Sequence, residues 1–165
     1  MKALSLWQPW ATLWCKGLKL NETRRRGLSH RGLLVVHAAM RWTDAQLELC
    51  STPAFREVLA PLAGLPASCA ESDYLRALDR ILPRGGLIGQ VHISDCMKIT
   101  DAVRRQVTGR ELAFGDYSAG RFAIVANEHM HWPEKLPWRG QQGLFEVPAA
   151  DIAGHLSALI ERGHS

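Results

Sequence analysis

The chain has 165 residues, 47% of them hydrophobic and 22% charged, the profile of an ordinary globular protein long enough for one domain with its own core. No run of about 18 apolar residues occurs, which excludes a membrane-spanning helix, and the opening MKALSLWQPW, broken by Gln8 and Pro9, does not read as a secretion signal. The net charge of +4 is unevenly placed: residues 1–41 hold eight basic side chains (Lys2, Lys16, Lys19, Arg24, Arg25, Arg26, Arg31, Arg41) against Glu22 alone, while the remainder holds 12 basic and 15 acidic ones. A local basic patch attracts polyanions and releases their counterions on binding, although a solvated arginine-rich hairpin would carry the same charge.

In chain order, Lys2–Leu6 reads as a short strand. Pro9 suits the first turn of a helix and Gly17 its C-terminal end, so residues 9–16 are expected to be helical, with Trp10, Leu13 and Trp14 at helical spacing and directed to the core. Residues 19–26 read as a strand or extended segment, and Gly32–Ala38 (GLLVVHA) as a buried strand. Thr43 with Gln46 has the spacing of a capping box, opening a helix to about Cys50. Further helices are expected from Pro53 to about Ala60 and after Ser72, the latter with Leu75, Leu78 and Leu82 on one face. Residues 86–97 read as a long strand, Thr100 opens a short helix ending at Gly109, and residues 121–127 form another strand. Residues 131–143 (HWPEKLPWRGQQG) are expected to be a loop, Leu144–Val147 a last short strand, and residues 148–162 an amphipathic helix. Five or six strands with irregularly placed helices indicate an α+β mixed barrel or sheet and not a doubly wound sheet. No phosphate-loop, dinucleotide-binding or H-E-x-x-H pattern is present.

The four cysteines (Cys15, Cys50, Cys69, Cys96) lack C-x-x-C spacing, so they read as reduced thiols of a cytoplasmic protein and not as a zinc site. His129 and His131 have no third ligand nearby, and neither a metal nor a cofactor is expected.

Several segments together carry a resemblance: LSLWQPWATL at the start, G-L-K-L-N-E-T-R at residues 17–24 in the pattern G-x-K-x-x-E-x-R, RGLLVVHAA, GGLIGQVHISDC, and the closing FGDYSAGRFAIV and LPWRGQQGLFEVP. The chain resembles the ASCH family of the PUA-like superfamily. The resemblance covers most of residues 1–148, with a helical insertion at about 41–83 and the C-terminal helix (149–165) outside it. It implies a PUA-like β-barrel of five to six strands with a cleft on one side. It also implies a partner from RNA biology, since members are associated with RNA or DNA binding, ribonuclease activity, and deacetylation of a modified cytidine. The deacetylating branch carries K-x-x-T; here Lys19 is followed at that spacing by Glu22, with Thr23 next, which puts deacetylation in doubt.

Within this frame, Lys19 would stabilise developing negative charge and Glu22 would accept a proton if the chain is an enzyme, although the two with Arg24 could also be a surface ion-pair cluster. Arg24, Arg25, Arg26 and Arg31 are candidates for phosphate contacts. Gln8 could read a base edge and Trp10 could stack on a base, although Trp10 also suits the core. His37, Tyr117, Ser118 and Arg121 are candidates for the cleft, the last three from a glycine-flanked loop and the strand after it. The first expectation is therefore an RNA-binding or other nucleic-acid-binding module. The alternatives are a metal-independent hydrolase of RNA or of a modified nucleoside, and an interaction module using residues 41–83. Nothing in the sequence names a protein partner.

Overall fold

The computed structural model describes residues 1–163. Six strands, β1 (Lys2–Leu6), β2 (Asn21–Arg24), β3 (Gly32–Ala38), β4 (Gly86–Lys98), β5 (Phe122–Pro137) and β6 (Leu144–Glu146), form one sheet in the order β2-β5-β4-β3-β1-β6. β1 runs parallel to β3, and the other neighbours are antiparallel. The class is α+β with a mixed six-stranded sheet, but the sheet does not close: β2 and β6 remain its two edges among the described residues. The expected barrel is therefore an open sheet, bent by register shifts in the long β4–β5 pair and between Val36 and His37.

Alternation along the central strands sorts side chains to two faces. Leu4, Leu6, Leu34, Val36, Ile88 and Ile124 meet α1 (Trp10–Cys15) on one side. Ala3, Val35, Leu87 and Trp132 meet Phe145, Val147 and Ile152 on the other, under α7 (Ala149–Gly163). α1 is buried along its whole length after Trp10, because it has a second neighbour. Its Leu13 packs with Cys50, Phe55, Leu59, Tyr74 and Leu78 from α2 (Asp44–Ser51), α3 (Pro53–Leu62) and α4 (Glu71–Ile81), which lie between β3 and β4 in sequence. Trp14, with no exposed surface, fills the space between α1 and the sheet. A buried ring of this size contributes about 3–5 kcal/mol relative to alanine. At Gly89 a side chain would meet the Met130 carbonyl and lie 2.9 Å from Cys15 Sγ, so glycine lets α1 sit directly on β4 and β5.

Four local expectations differ from what forms. Residues 131–137 continue β5 and are not loop. Pro133 is tolerated there because it lies between His131 and Leu136, where the register with β4 shifts, and β2 pairs only with residues 122–125. Thr43 flanks α2, yet its hydroxyl donates to Gln46 Oε1 at 3.0 Å instead of capping the backbone; Gln46 is turned inward because its amide donates to the Gln8 carbonyl at 2.8 Å. The helix expected after Ser72 starts at Glu71, with Ala70 before it. The segment after Thr100 is two short helices, α5 (Asp101–Gln106) and α6 (Gly109–Phe114).

All four cysteines are free; burial pushes the thiol of Cys50 up to about 12 and that of Cys15 higher still. No helix among the described residues is long and apolar enough to cross a membrane, and no cluster of three or more metal-ligating side chains occurs among them.

His131 has a ring nitrogen, Nε2, that is buried without a partner. Burial, and secondarily the charge of Lys16, lowers its pKa from 6.5 to about 4. Because the folded value is depressed, its contribution to stability is complete above pH 6.5 and declines as pH falls towards 4, where the unfolded chain takes a proton the folded one refuses. In thermal melts, His131→Leu should flatten the fall of Tm across that window; an unchanged slope would show that His131 titrates normally.

Candidate functional site

A cleft of about 820 Å³ opens between the end of β1 and the segment running from β2 into the following loop. One wall is Glu22, Thr23, Arg24, Arg25 and Arg26. The other is Leu6, Trp7 and Trp10, and Phe114, Gly115, Asp116 and Arg121 close the end.

The β2 wall is held by a residue from α6. Glu111 is almost fully buried, and its two carboxylate oxygens accept the backbone N–H groups of Leu20 at 3.0 Å and Asn21 at 2.9 Å. The Tyr117 hydroxyl donates to the same carboxylate at 2.9 Å and accepts from the Asn21 amide at 3.1 Å. Burial raises the pKa of Tyr117, which keeps that hydroxyl a donor. Thr108 caps α6 by accepting from the Glu111 N–H at 3.3 Å.

Behind this wall stands Lys19, with no exposed surface. It donates to the Asn21 carbonyl and to Glu22 Oε2, the latter at 3.2 Å. Glu22 keeps 12% of its side chain exposed, on the cleft side. The ammonium therefore reaches the cleft only through the carboxylate it holds. Thr23, the hydroxyl displaced from the K-x-x-T spacing, accepts the Asp116 N–H at 3.0 Å and is not turned to Lys19.

Charge in the cleft resolves by pairing. Glu22 is matched by Lys19, and Asp116 by Arg121, whose Nε lies 3.3 Å from the carboxylate. Ser118, chiefly through its hydroxyl and then its N–H, and after these Arg121 and Arg25 through their charge, hold the Asp116 carboxyl below the usual range. Arg121 also donates to the Thr23 carbonyl at 3.2 Å, tying the loop to β2. Arg24, Arg25 and Arg26 form no direct ion pair among the described residues; Arg25 acts on Asp116 only through its charge, and Arg24 and Arg26 add positive charge to the cleft.

The anticipated site residues thus separate. Glu22, Arg24, Arg25, Arg26, Trp10 and Arg121 line one cleft, and Lys19 stands directly behind it. Trp10 is half-buried and its indole donates to the Phe114 carbonyl at 2.8 Å, leaving only part of its ring to the cleft. Gln8 is in the core: its amide donates to Thr12 Oγ1 at 2.8 Å and the Pro83 carbonyl at 2.7 Å, and its oxygen accepts from the Thr12 N–H. No edge remains to read a base. Arg31 lies off the cleft, spent on Asp95 at 3.1 Å and on the carbonyls of Leu28 and His30. Tyr117 is buried on Glu111, and Ser118 shapes the Asp116 turn, its hydroxyl donating to that carboxylate at 2.6 Å. His37 belongs to a different, smaller cleft.

Two residues went unrecognised in the sequence. Trp7 is 47% exposed on the cleft wall, with the Arg41 guanidinium 5.1 Å from its ring centroid. The alternation of β1, carried one step past Leu6, places residue 7 outward and would have found it. Glu111 stands in T-x-x-E spacing after Thr108, a legible cap signal, but its partners at the entry to β2 lie about ninety positions away.

The sheet order, the helix seated on it and the cleft beside β2 define an α+β domain of the ASCH fold. No family model and no curated protein matches the chain. Solved structures do: that of ASCH from Zymomonas mobilis superposes with a TM-score of 0.52 at 15% identity, covering 94% of this chain and 93% of the other. A point mutant of the same protein gives a TM-score of 0.50 at 13% identity, covering 94% and 96%. The likeness extends over nearly the whole of both chains.

Replacing Glu111 with Ala would strand two part-buried backbone N–H groups and the buried Tyr117 hydroxyl. At about 1–3 kcal/mol for each unsatisfied donor, the loss should exceed about 3 kcal/mol in urea unfolding, with Glu111→Gln milder. A loss under about 1 kcal/mol would mean that β2 does not depend on this carboxylate.

Proposed function

We infer that this chain binds RNA in single-stranded form through the cleft beside β2. The observation that carries this reading is the set of Arg24, Arg25 and Arg26, none of them in a direct ion pair among the described residues, lining one cleft with the half-exposed Trp7. Guanidinium groups take phosphates in a bidentate fork, and an exposed indole offers a face on which a base can stack without regard to sequence. A double helix hides its base faces, so an aromatic wall opposite a basic one suits unpaired nucleotides. The fold shared with ASCH structures is compatible with this use and does not by itself assign it. Four free cysteines fit a reducing, cytoplasmic setting.

A second reading draws on one further observation, the buried Lys19 that fixes Glu22 at the cleft wall. In a hydrolase of RNA or of a modified nucleoside, Glu22 would be the general base and Lys19 its positioning residue. Thr23, engaged with the Asp116 N–H, offers no hydroxyl at the deacetylase spacing.

Binding of a fluorescent single-stranded RNA at several salt concentrations, with the RNA examined on a gel afterwards, tests both. Wild-type affinity should fall steeply with salt, and Arg25→Ala/Arg26→Ala should reduce the slope of log K against log salt by about 1.4, two phosphate contacts at about 0.7 each. Trp7→Ala should weaken binding about tenfold with the slope unchanged. Intact RNA throughout supports a binding module, whereas cleavage abolished by Glu22→Gln makes the chain a nuclease. Salt-independent binding, or none at low salt, contradicts the polymer reading.

A further inference from the structure

Ser5 lines not one cleft but two. The second encloses about 500 Å³ and is bounded by His37, Met40, Trp138, Arg139, Gln141 and Gln142. Its floor is a fixed polar pair. His37 Nε2 lies 3.1 Å from the Trp138 carbonyl oxygen, which can only accept, so Nε2 carries the proton; Nδ1, 3.1 Å from Ser5 Oγ, then accepts from the hydroxyl. Burial lowers the pKa of His37 more than the Trp138 carbonyl raises it, so burial keeps the ring neutral near pH 7.

The rim is the loop after β5. The Gly140 backbone crosses the imidazole so closely that a Cβ there would meet His37 Cε1 and lie 2.6 Å from Nδ1 and 2.8 Å from Ser5 Oγ. Glycine is required by that approach, and the loop is fixed by it. The side chains of Arg139, Gln141 and Gln142 project from this loop without an ion pair or side-chain hydrogen bond among the described residues.

The partition between the two clefts is thin. Ala39 N–H donates to the Leu6 carbonyl at 2.8 Å, and beyond this contact Trp7 stands in the first cleft and Met40, 70% exposed, in the second. Arg41, stacked on Trp7, has no acidic partner among the described residues. Unpaired arginines therefore recur along the whole course: Arg24 to Arg26 in the first cleft, Arg41 at the partition and Arg139 at the second.

Resting on the RNA-binding reading of the first cleft, we propose that the two clefts form one track, and that the second takes a further nucleotide of the same strand. Arg139 contacts its phosphate, Trp138 gives an aromatic wall for the base, and the amides of Gln141 and Gln142 meet the base edge. Side-chain amides carry both donors and acceptors, so this end of the track can prefer one base, whereas the arginine-and-indole end cannot.

The test is a length series of fluorescent single-stranded RNAs, from about 4 to about 16 nucleotides, titrated against the full chain and an Arg139→Ala/Gln141→Ala variant. Both substituted side chains lie on the surface loop, and a thermal melt checks that the variant folds. The shortest RNAs, which fill the first cleft, should bind both proteins alike. The longer ones should lose about tenfold in affinity with the variant, so that its affinity no longer rises with length. Equal affinity of both proteins at every length, with the shortest RNA still bound, would overturn the track and leave the first cleft standing. Weakening at every length would place the loop in the first cleft and overturn the track as well. Absence of binding at all lengths would remove the RNA reading and the track together.

Discussion

The carboxylate of Glu111 is the constraint on which the cleft depends. It gathers two consecutive backbone N–H groups where the chain enters β2, and the Tyr117 hydroxyl completes its shell. A sheet edge leaves backbone donors that need partners, and here a charged acceptor supplies them from a six-residue helix. Once residues 20 and 21 are fixed, strand geometry sets the rest. Glu22 and Arg24 follow in register with β5, Lys19 is trapped behind them, and the chain leaves β2 with Arg25 and Arg26 on the cleft.

The division of charge follows from this arrangement. The first quarter of the chain is strongly basic, yet much of that charge is internally satisfied: Lys2 by Glu146, Lys19 by Glu22, Arg31 by Asp95. The two acidic groups in the cleft are each neutralised by a basic partner. What remains is a short, specific set of arginines and not a diffuse basic surface, together with an indole that the core does not absorb. On the proposed reading, phosphate contacts hold a strand in place and stacking on Trp7 favours unpaired bases.

The sequence was most informative where the signal is local or periodic. β3 is a run of branched residues and appears at the predicted limits; Pro9 and Gly17 frame the first helix; the ASCH-like segments anticipated an α+β fold with a cleft beside G-x-K-x-x-E-x-R. It misled where long-range partners decide. Gln8 looked like a base-reading side chain because it stands beside two tryptophans, but Thr12 and Pro83 absorb its amide. Pro133 looked like a strand terminator, but a register shift accommodates it. Strand closure was not legible either, because it depends on whether β2 and β6 meet, which neither segment encodes alone.

The most direct test of the cleft assignment uses the indole N–H signals of the six tryptophans in a two-dimensional NMR titration with single-stranded RNA. The rings sample distinct places: Trp7 stands on the cleft wall, while Trp14 and Trp132 are buried in the cores on opposite faces of the sheet. The account predicts that the Trp7 signal shifts or broadens on binding while those of Trp14 and Trp132 stay in place. Saturable RNA binding that leaves the Trp7 signal unmoved would contradict it.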